Sequence, residues 1–360
     1  MRARDRVSRW MTAALDAGAF PAASAAAGGP NRDLFRIEQT KQGGSDRRLV
    51  YDLASLSKVI GTTMVCLRLI DRGEIRLDDP LSRYHPVPPG KAAITIRDLL
   101  RHAGGFEAYF LLDDSTVPDG VSRTRVLDAL MRRPLAYPPG SDVVYSCIGF
   151  IVLGLIMEIV TSTTLDDAVR ELVLDPLGMT HTGYRPGVWV GAVDAILPTE
   201  PDPATGVAVH GVVHDENARF LGGVAGNAGL FSCLDDCVTF ARLLLNRCTG
   251  FLSRSLFDEM VRNWTPGLAD ARGLGVSLPG GTRPWPGGRL LGDDAFGHTG
   301  FTGTSIFVSP SRELFFVLLT NRVNYGRDAS VMPDYRARYH EAVIGEADRR
   351  SVPGGEGGER

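Results

Sequence analysis

The sequence predicts a mixed α/β (α+β) chain, with one sheet built from N- and C-terminal segments and a helical domain inserted between them. Two observations carry this. Residues 20–40 and 304–320 read as strands around the turns Gly29-Pro30-Asn31 and Pro310-Ser311-Arg312, whereas residues 97–173 read as helices joined by Pro/Gly loops. Strands at both ends with helices between them are the pattern of a segregated α+β chain. The expected division is 1–75 and 212–347 for the sheet domain, 76–211 for the helical domain and 348–360 for a disordered, Gly-rich tail. A chain of 360 residues, 44% hydrophobic and 22% charged, has ample material for such a core.

Taken in order, Asp5 to Ala17 reads as an amphipathic helix, and Phe20 to Gly28 and Asp33 to Thr40 as two strands. Leu56 to Asp71 is a helix apolar on nearly every side (Val59, Ile60, Val65, Leu67, Leu69, Ile70), so burial is expected, and Gly73 stops it. Arg97–His102, Arg123–Met131, Ile148–Thr161 and Leu165–Val173 are the next helices. Trp189 to Gly211, rich in Pro, Gly and Asp, reads as a long connection. Asp235–Asn246 is another helix, Thr304–Val308 and Glu313–Thr320 form a hairpin, and Tyr335–Ala347 is a last helix.

Composition excludes several classes. A net charge of -3 with no long Lys/Arg run gives no reason to expect nucleic acid or an anionic membrane as partner. The charged start (Arg2, Arg4, Asp5, Arg6, Arg9) lacks the apolar stretch of a secretory signal, and the longest apolar run, Ile148 to Ile159, is too short to span a bilayer and contains Glu158. The expectation is a cytoplasmic protein. Five cysteines (Cys66, Cys147, Cys233, Cys237, Cys248) are an odd number in no disulfide ladder, and are expected to be reduced. His210, His214, Asp215 and Glu216 cluster, but at no standard metal-ligand spacing, so neither metal nor cofactor is expected.

The chemistry-bearing pattern begins at Ser55-Leu56-Ser57-Lys58. Residues three apart on a helix are neighbours, so Lys58 lies beside Ser55 while Ser57 points elsewhere. A serine hydroxyl needs a base, and lysine serves only where its environment lowers its pKa. The apolar helix supplies the burial. The chain has only three lysines (Lys41, Lys58, Lys91) and otherwise uses Arg, which cannot release its proton, so a lysine here is not surface filler. Tyr145, before the helix at Ile148, is placed to relay a proton. His298-Thr299-Gly300 precedes a hairpin strand, where a glycine-ended edge lets a substrate backbone approach and the Phe301 amide face it. A second tripeptide, His181-Thr182-Gly183, follows a helix where no strand edge is expected. The small-residue run Leu221 to Phe231 reads as backbone packed tightly beside a cleft.

Ser-x-x-Lys, Tyr-x-x and His-Thr-Gly in this order resemble the signature of penicillin-recognising serine enzymes. The chain is similar to their class C β-lactamase-like branch through "YDLASLSKV", "GEIRLDDPLSRYHP", "ITIRDLLRHAGGF", "YSCIGFIVLG", "LGMTHTGY" and "GHTGFTGTSIFVSP". The resemblance implies a serine β-lactamase/transpeptidase-like fold: an antiparallel β-sheet flanked by helices, plus an inserted helical domain, with the site between them. It implies Ser55 as nucleophile, Lys58 and Tyr145 sharing the proton transfers, the Ser55 and Phe301 amides as oxyanion hole, and His298, Thr299 and Gly300 along the substrate. Two positions depart from the pattern: Cys147 stands where the family has Asn, and His298 where many relatives have Lys.

The function this implies is a serine hydrolase or transacylase for a small ester or amide, with water, an amine or an alcohol as acyl acceptor. Alternatives are D,D-peptidase or D-aminopeptidase activity, weak β-lactamase activity, and a non-catalytic binding protein on the same fold.

Overall fold

The structure, a computed structural model, describes residues 1–43, 47–117, 122–191, 196–202, 205–328 and 331–345. The expected tail lies outside them. Ten strands are present among the described residues: β1 (Ala22–Gly28), β2 (Asp33–Thr40), β3 (Tyr51–Asp52), β4 (Gly183–Tyr184), β5 (Leu230–Ser232), β6 (Ala271–Arg272), β7 (Ser277–Leu278), β8 (Phe296–Thr299), β9 (Ser305–Ser309) and β10 (Leu314–Thr320). Seven form an antiparallel sheet in the order β2-β1-β10-β9-β8-β7-β6. N- and C-terminal strands thus meet in its middle, with Ala25 opposite Leu318. A second sheet, β3-β5-β4, was not anticipated; its strands of two or three residues are too short to show a period.

The period-two rule explains how the large sheet serves two cores. Ala23, Ala25, Ala27, Phe316 and Leu318 face the terminal helices Ala3–Asp16 and Met332–Ile344, packing on Val7, Met11, Leu15 and Val343. Ala26, Phe315, Val317 and Leu319 face the other way, into the main core. Tyr339 crosses from the C-terminal helix to donate to the Ala26 or Val317 carbonyl (2.7 and 3.0 Å).

The main core continues without a break into the helical segment. Cys147–Thr161 buries every residue from Ile148 to Met157, and Ser146 caps it by accepting the Gly149 N–H at 2.9 Å. The helix after Ser55 starts as widened π-helical turns (Lys58–Thr63) and becomes α-helical over Met64–Asp71. Gly73 ends it in the left-handed region, φ +74°. The small-residue run presses on the helix Cys147–Thr161: a Cβ on Gly226 would sit 2.0 Å from the Phe150 carbonyl oxygen. The described part of the long connection docks on the sheet side, through a bridge from Val50 to Ile196 and amide bonds from Asn321 and Asn324 to the Pro198 and Thr199 carbonyls (3.0 and 2.8 Å). No single described helix is long and apolar enough to cross a membrane.

Candidate active site

Strand β3 delivers the chain into a tight turn. Asp52 is buried and accepts the Ala54 N–H at 2.8 Å and the His214 N–H at 2.7 Å. Ala54 is held at φ +47°, a conformation alanine adopts only when its surroundings enforce it. Ser55 follows at the mouth of the helix. Ser57 accepts the Leu230 N–H at 3.0 Å, so it faces β5 and not the lysine.

Lys58 is fully buried, and its three ammonium protons have three acceptors: Ser55 Oγ at 3.0 Å, the Asn227 carbonyl at 2.9 Å and Cys147 Sγ at 3.4 Å. The expectation of a lowered lysine pKa is corrected here. Burial does pull it down, but the neighbouring Cys147 and Tyr145 side chains push it up by more, and the net shift is upward. The resting side chain is an ammonium. Tyr145 lies across from it, with Lys58 Nζ 4.9 Å from the ring centre. Among the described residues its hydroxyl has no partner in hydrogen-bonding geometry, although Lys58 and Ser55 lie close enough to favour its ionised form. Burial outweighs them and raises its pKa, so the phenol is neutral at rest.

Strand β8 forms the opposite wall. Strand β7 pairs with it only at Ser277 and Gly297, which leaves the edge beyond His298 open to the cleft. Gly300 rests on the turn that carries Ser55: a Cβ there would meet Thr304 Oγ1 at 2.1 Å and the Leu53 carbonyl at 2.5 Å. Thr302 and Thr304 tie the two loops by donating to the Asp52 and Leu53 carbonyls (2.8 and 3.1 Å). Among the described residues, the amides of Ser55 and Phe301 donate to no backbone carbonyl.

His298 donates from Nδ1 to the Thr299 carbonyl at 2.8 Å. Burial, then the charges of Lys58 and Arg272, pull its pKa down to about 3, so the ring is neutral in ordinary buffer. The Phe301 ring, 44% exposed, stands at the cleft mouth between the His214 ring (centroids 5.6 Å apart) and the Arg322 guanidinium (4.6 Å).

The structure therefore brings Ser55, Tyr145, Cys147, His298, Thr299, Gly300 and Phe301 around one cavity of about 810 Å³, with Lys58 behind Ser55. It also adds residues the sequence reading missed. Asp52 ties the Ser55 turn to the His214 segment. Asn227 offers a backbone carbonyl that no side-chain motif could announce. The His102 ring packs at a tilt against Tyr145 (centroids 4.6 Å apart). Arg272, Arg322, Arg327 and Arg336 reach the cavity from separate elements.

A model of the β-lactamase family matches residues 7–341. The chain belongs to the β-lactamase family. Within it, a relative from Escherichia coli K12, named provisionally as a D-alanyl-D-alanine carboxypeptidase, is 33% identical over 300 residues, 76% of this chain and 69% of its own. Among solved structures, the fold matches EstCE1, described as a hydrolase with promiscuous acyltransferase activity (TM-score 0.75, 21% identity, 96% of this chain and 99% of that one). It also matches simvastatin synthase (LovD) from Aspergillus terreus (TM-score 0.72, 17% identity, 98% and 100%).

The second His-Thr-Gly needs a correction. Gly183 does lie on a strand, β4, which pairs with β5 at the edge of the small sheet. That edge is closed by Trp189, whose indole nitrogen would be 2.8 Å from a Cβ on Gly183. Thr182 there hydrogen-bonds Ser232 and Asp236 (2.6 and 2.8 Å).

Proposed function

We propose that this β-lactamase-family enzyme forms an acyl-enzyme on Ser55 and passes the acyl group of a small ester or amide to water, an amine or an alcohol. The observation that carries the reading is Lys58, buried and held 3.0 Å from Ser55 Oγ with its other two protons anchored. Ser55 Oγ attacks the substrate carbonyl carbon as its proton passes to the Lys58–Tyr145 pair. The carbonyl electrons move onto oxygen, where the amides of Ser55 and Phe301 receive them. Collapse breaks the bond to the leaving group, which takes the proton. The acceptor then repeats these steps and frees Ser55. Because Lys58 rests as an ammonium and Tyr145 as a phenol, the pair must first lose one proton. The likeness to EstCE1 and simvastatin synthase supports esters and acyl transfer as the chemistry to test first.

A second reading, D,D-carboxypeptidase action, is favoured by the name of the Escherichia coli relative. Against it stands Cys147, which offers the substrate amide no side-chain amide partner.

Turnover of p-nitrophenyl esters by variants tests the proposal. Ser55→Ala should lose on the order of a million-fold. Lys58→Arg keeps the charge but cannot release a proton, and should lose about a hundred-fold or more while remaining folded. Near-normal turnover by a folded Lys58→Arg protein would take Lys58 out of proton transfer.

A further inference from the structure

The Tyr145 phenol is not held at its reactive end. Among the described residues its hydroxyl makes no hydrogen bond. Its place beside Lys58 and Ser55 is therefore set by the backbone that carries it and by what packs on its ring. Four groups face that ring. Lys58 Nζ lies 4.9 Å and the Arg272 guanidinium 5.5 Å from its centre, and the His298 and His102 rings lie at 5.7 and 4.6 Å. Of these four, His102 also holds the chain on either side of Tyr145.

The Val144 N–H donates to the His102 carbonyl at 3.1 Å, and the Ser146 N–H donates to His102 Nδ1 at 3.1 Å. One residue thus brackets Tyr145 through both neighbours. The bracket is itself fixed. His102 follows the helix Ile96–Leu100, whose start Thr95 and Asp98 cap reciprocally. Its N–H donates to the Leu99 carbonyl at 3.1 Å, and the Ala103 N–H donates to the Asp98 carbonyl at 2.8 Å. The His102 carbonyl takes a second donor, the Tyr137 hydroxyl, at 3.0 Å, and Phe150 packs on the imidazole at 4.9 Å. The residue is buried at φ +59°, a left-handed conformation in which histidine is enriched over most side chains.

Nδ1 can accept only while the ring is neutral and carries its proton on Nε2. Burial, and then the charges of Arg272 and Lys58, hold the His102 pKa well below the usual histidine range, so that form persists in ordinary buffer. Nε2 has no partner among the described residues. A buried N–H left unpaired costs free energy. An apolar side chain would avoid that cost but would give up the acceptor that holds Ser146.

We infer that His102 is the positioning residue of Tyr145, gripping the chain on both sides of it and backing its ring so that the unbonded hydroxyl meets Lys58 and Ser55. This rests on the proposed acyl transfer at Ser55 and on the share of Tyr145 in it. A displacement of about 1 Å in a reacting group can cost on the order of a hundred-fold in rate, so a residue that never touches substrate can govern turnover.

Two substitutions separate this grip from a role in folding. Glycine and asparagine both accept the left-handed backbone, but only asparagine returns an acceptor, Oδ1, as many bonds from the backbone as Nδ1. In p-nitrophenyl ester kinetics, His102→Gly should lower kcat by about 10-fold or more with KM little changed. His102→Asn should be faster than His102→Gly by roughly 2- to 12-fold, the worth of one hydrogen bond. On a Tyr145→Phe background, His102→Gly should have little further effect, because a positioning residue acts only through the group it positions. The inference is overturned if His102→Gly lowers Tm but leaves kcat per folded molecule unchanged. Equal kcat in the glycine and asparagine variants overturns it too, as does a full His102→Gly loss on the Tyr145→Phe background. Normal turnover by Tyr145→Phe overturns it as well, since nothing is then left to position. Should His102→Gly not fold, His102→Phe takes its place, keeping a ring and removing the Nδ1 acceptor. Should no ester be turned over, the acyl-transfer reading fails separately, and the rate at which a fluorophosphonate labels Ser55 decides. Labelling slowed by the His102 substitution in the wild-type background but not in Tyr145→Phe supports the grip; equal rates, or no labelling of the wild-type protein, overturn it.

Discussion

The chain contains His-Thr-Gly twice, and each copy meets a strand of an antiparallel sheet: Gly183 begins β4, and His298 and Thr299 end β8. At His298-Thr299-Gly300, β7 ends after one pair and leaves the strand edge open to the cavity, with Ser55 behind it. At His181-Thr182-Gly183 the free edge is covered by Trp189, and the threonine is spent on Ser232 and Asp236. The tripeptide itself therefore carries no function. What sets His298-Thr299-Gly300 apart is a neighbouring strand that stops early, a glycine resting on the Ser55 turn and the buried Lys58 beyond.

Paired substitutions sharpen this contrast. Gly300→Ala should cost the most, about a hundred-fold or more in turnover, because its Cβ has no room between Thr304 and the Leu53 carbonyl. Gly183→Ala should instead cost about 1–3 kcal/mol of stability by overpacking on Trp189, with turnover per folded molecule kept. Thermal melts and ester kinetics on both proteins separate the two outcomes, and equal kinetic damage would break the comparison.

The pH profile probes the same wall. With its pKa held at about 3, His298 should contribute no limb to kcat/KM between pH 5 and 8. Lys58 and Tyr145 are both shifted upward, so their deprotonated form becomes scarcer than usual at neutral pH. Activity should climb with rising pH, up to about tenfold per unit, into the alkaline range. A midpoint near 6.5 that disappears in His298→Gln would contradict the neutral histidine.

Thr299→Val should lower kcat/KM by roughly 2- to 12-fold, the worth of one hydrogen bond, with little change in Tm. Thr182→Val should do the reverse, losing about 1–3 kcal/mol of stability as buried Asp236 is left short of a donor. Cys147→Asn should give the smallest effect, a gain of roughly 2- to 12-fold on amides if a side-chain amide there binds substrate. Losses on every amide tested would mean this cysteine is suited to the cleft as it stands.

Sequence legibility followed the same logic. The long helices were readable because ten or more residues carry a period, as in Cys147–Thr161, whereas the short Glu216–Phe220 and Arg254–Met260 were not anticipated. The pairs β1–β2 and β9–β10 were readable from the turns Gly29-Pro30-Asn31 and Pro310-Ser311-Arg312 between their strands. Strands β3 to β7 were not, since two or three residues hold no period and exist by pairing across the fold. Ser55 and Lys58 announced themselves by spacing. Asp52 and His102 did not, because what distinguishes them is burial and the company of other loops. The direction of the Lys58 shift was misjudged because an apolar helix supplies burial, while the opposing groups, Cys147 and Tyr145, come from a segment about ninety positions away in sequence.

The central claim is that one oxygen, Ser55 Oγ, carries the acyl group. Intact-mass measurement after mixing the protein with a p-nitrophenyl ester, followed by peptide mapping, tests it directly. A single acyl adduct on the peptide containing Ser55, resolved from Ser57 by fragmentation and absent from Ser55→Ala, is the predicted result. An adduct on Cys147, which shares the Lys58 ammonium at 3.4 Å, or one that persists in Ser55→Ala, would contradict it.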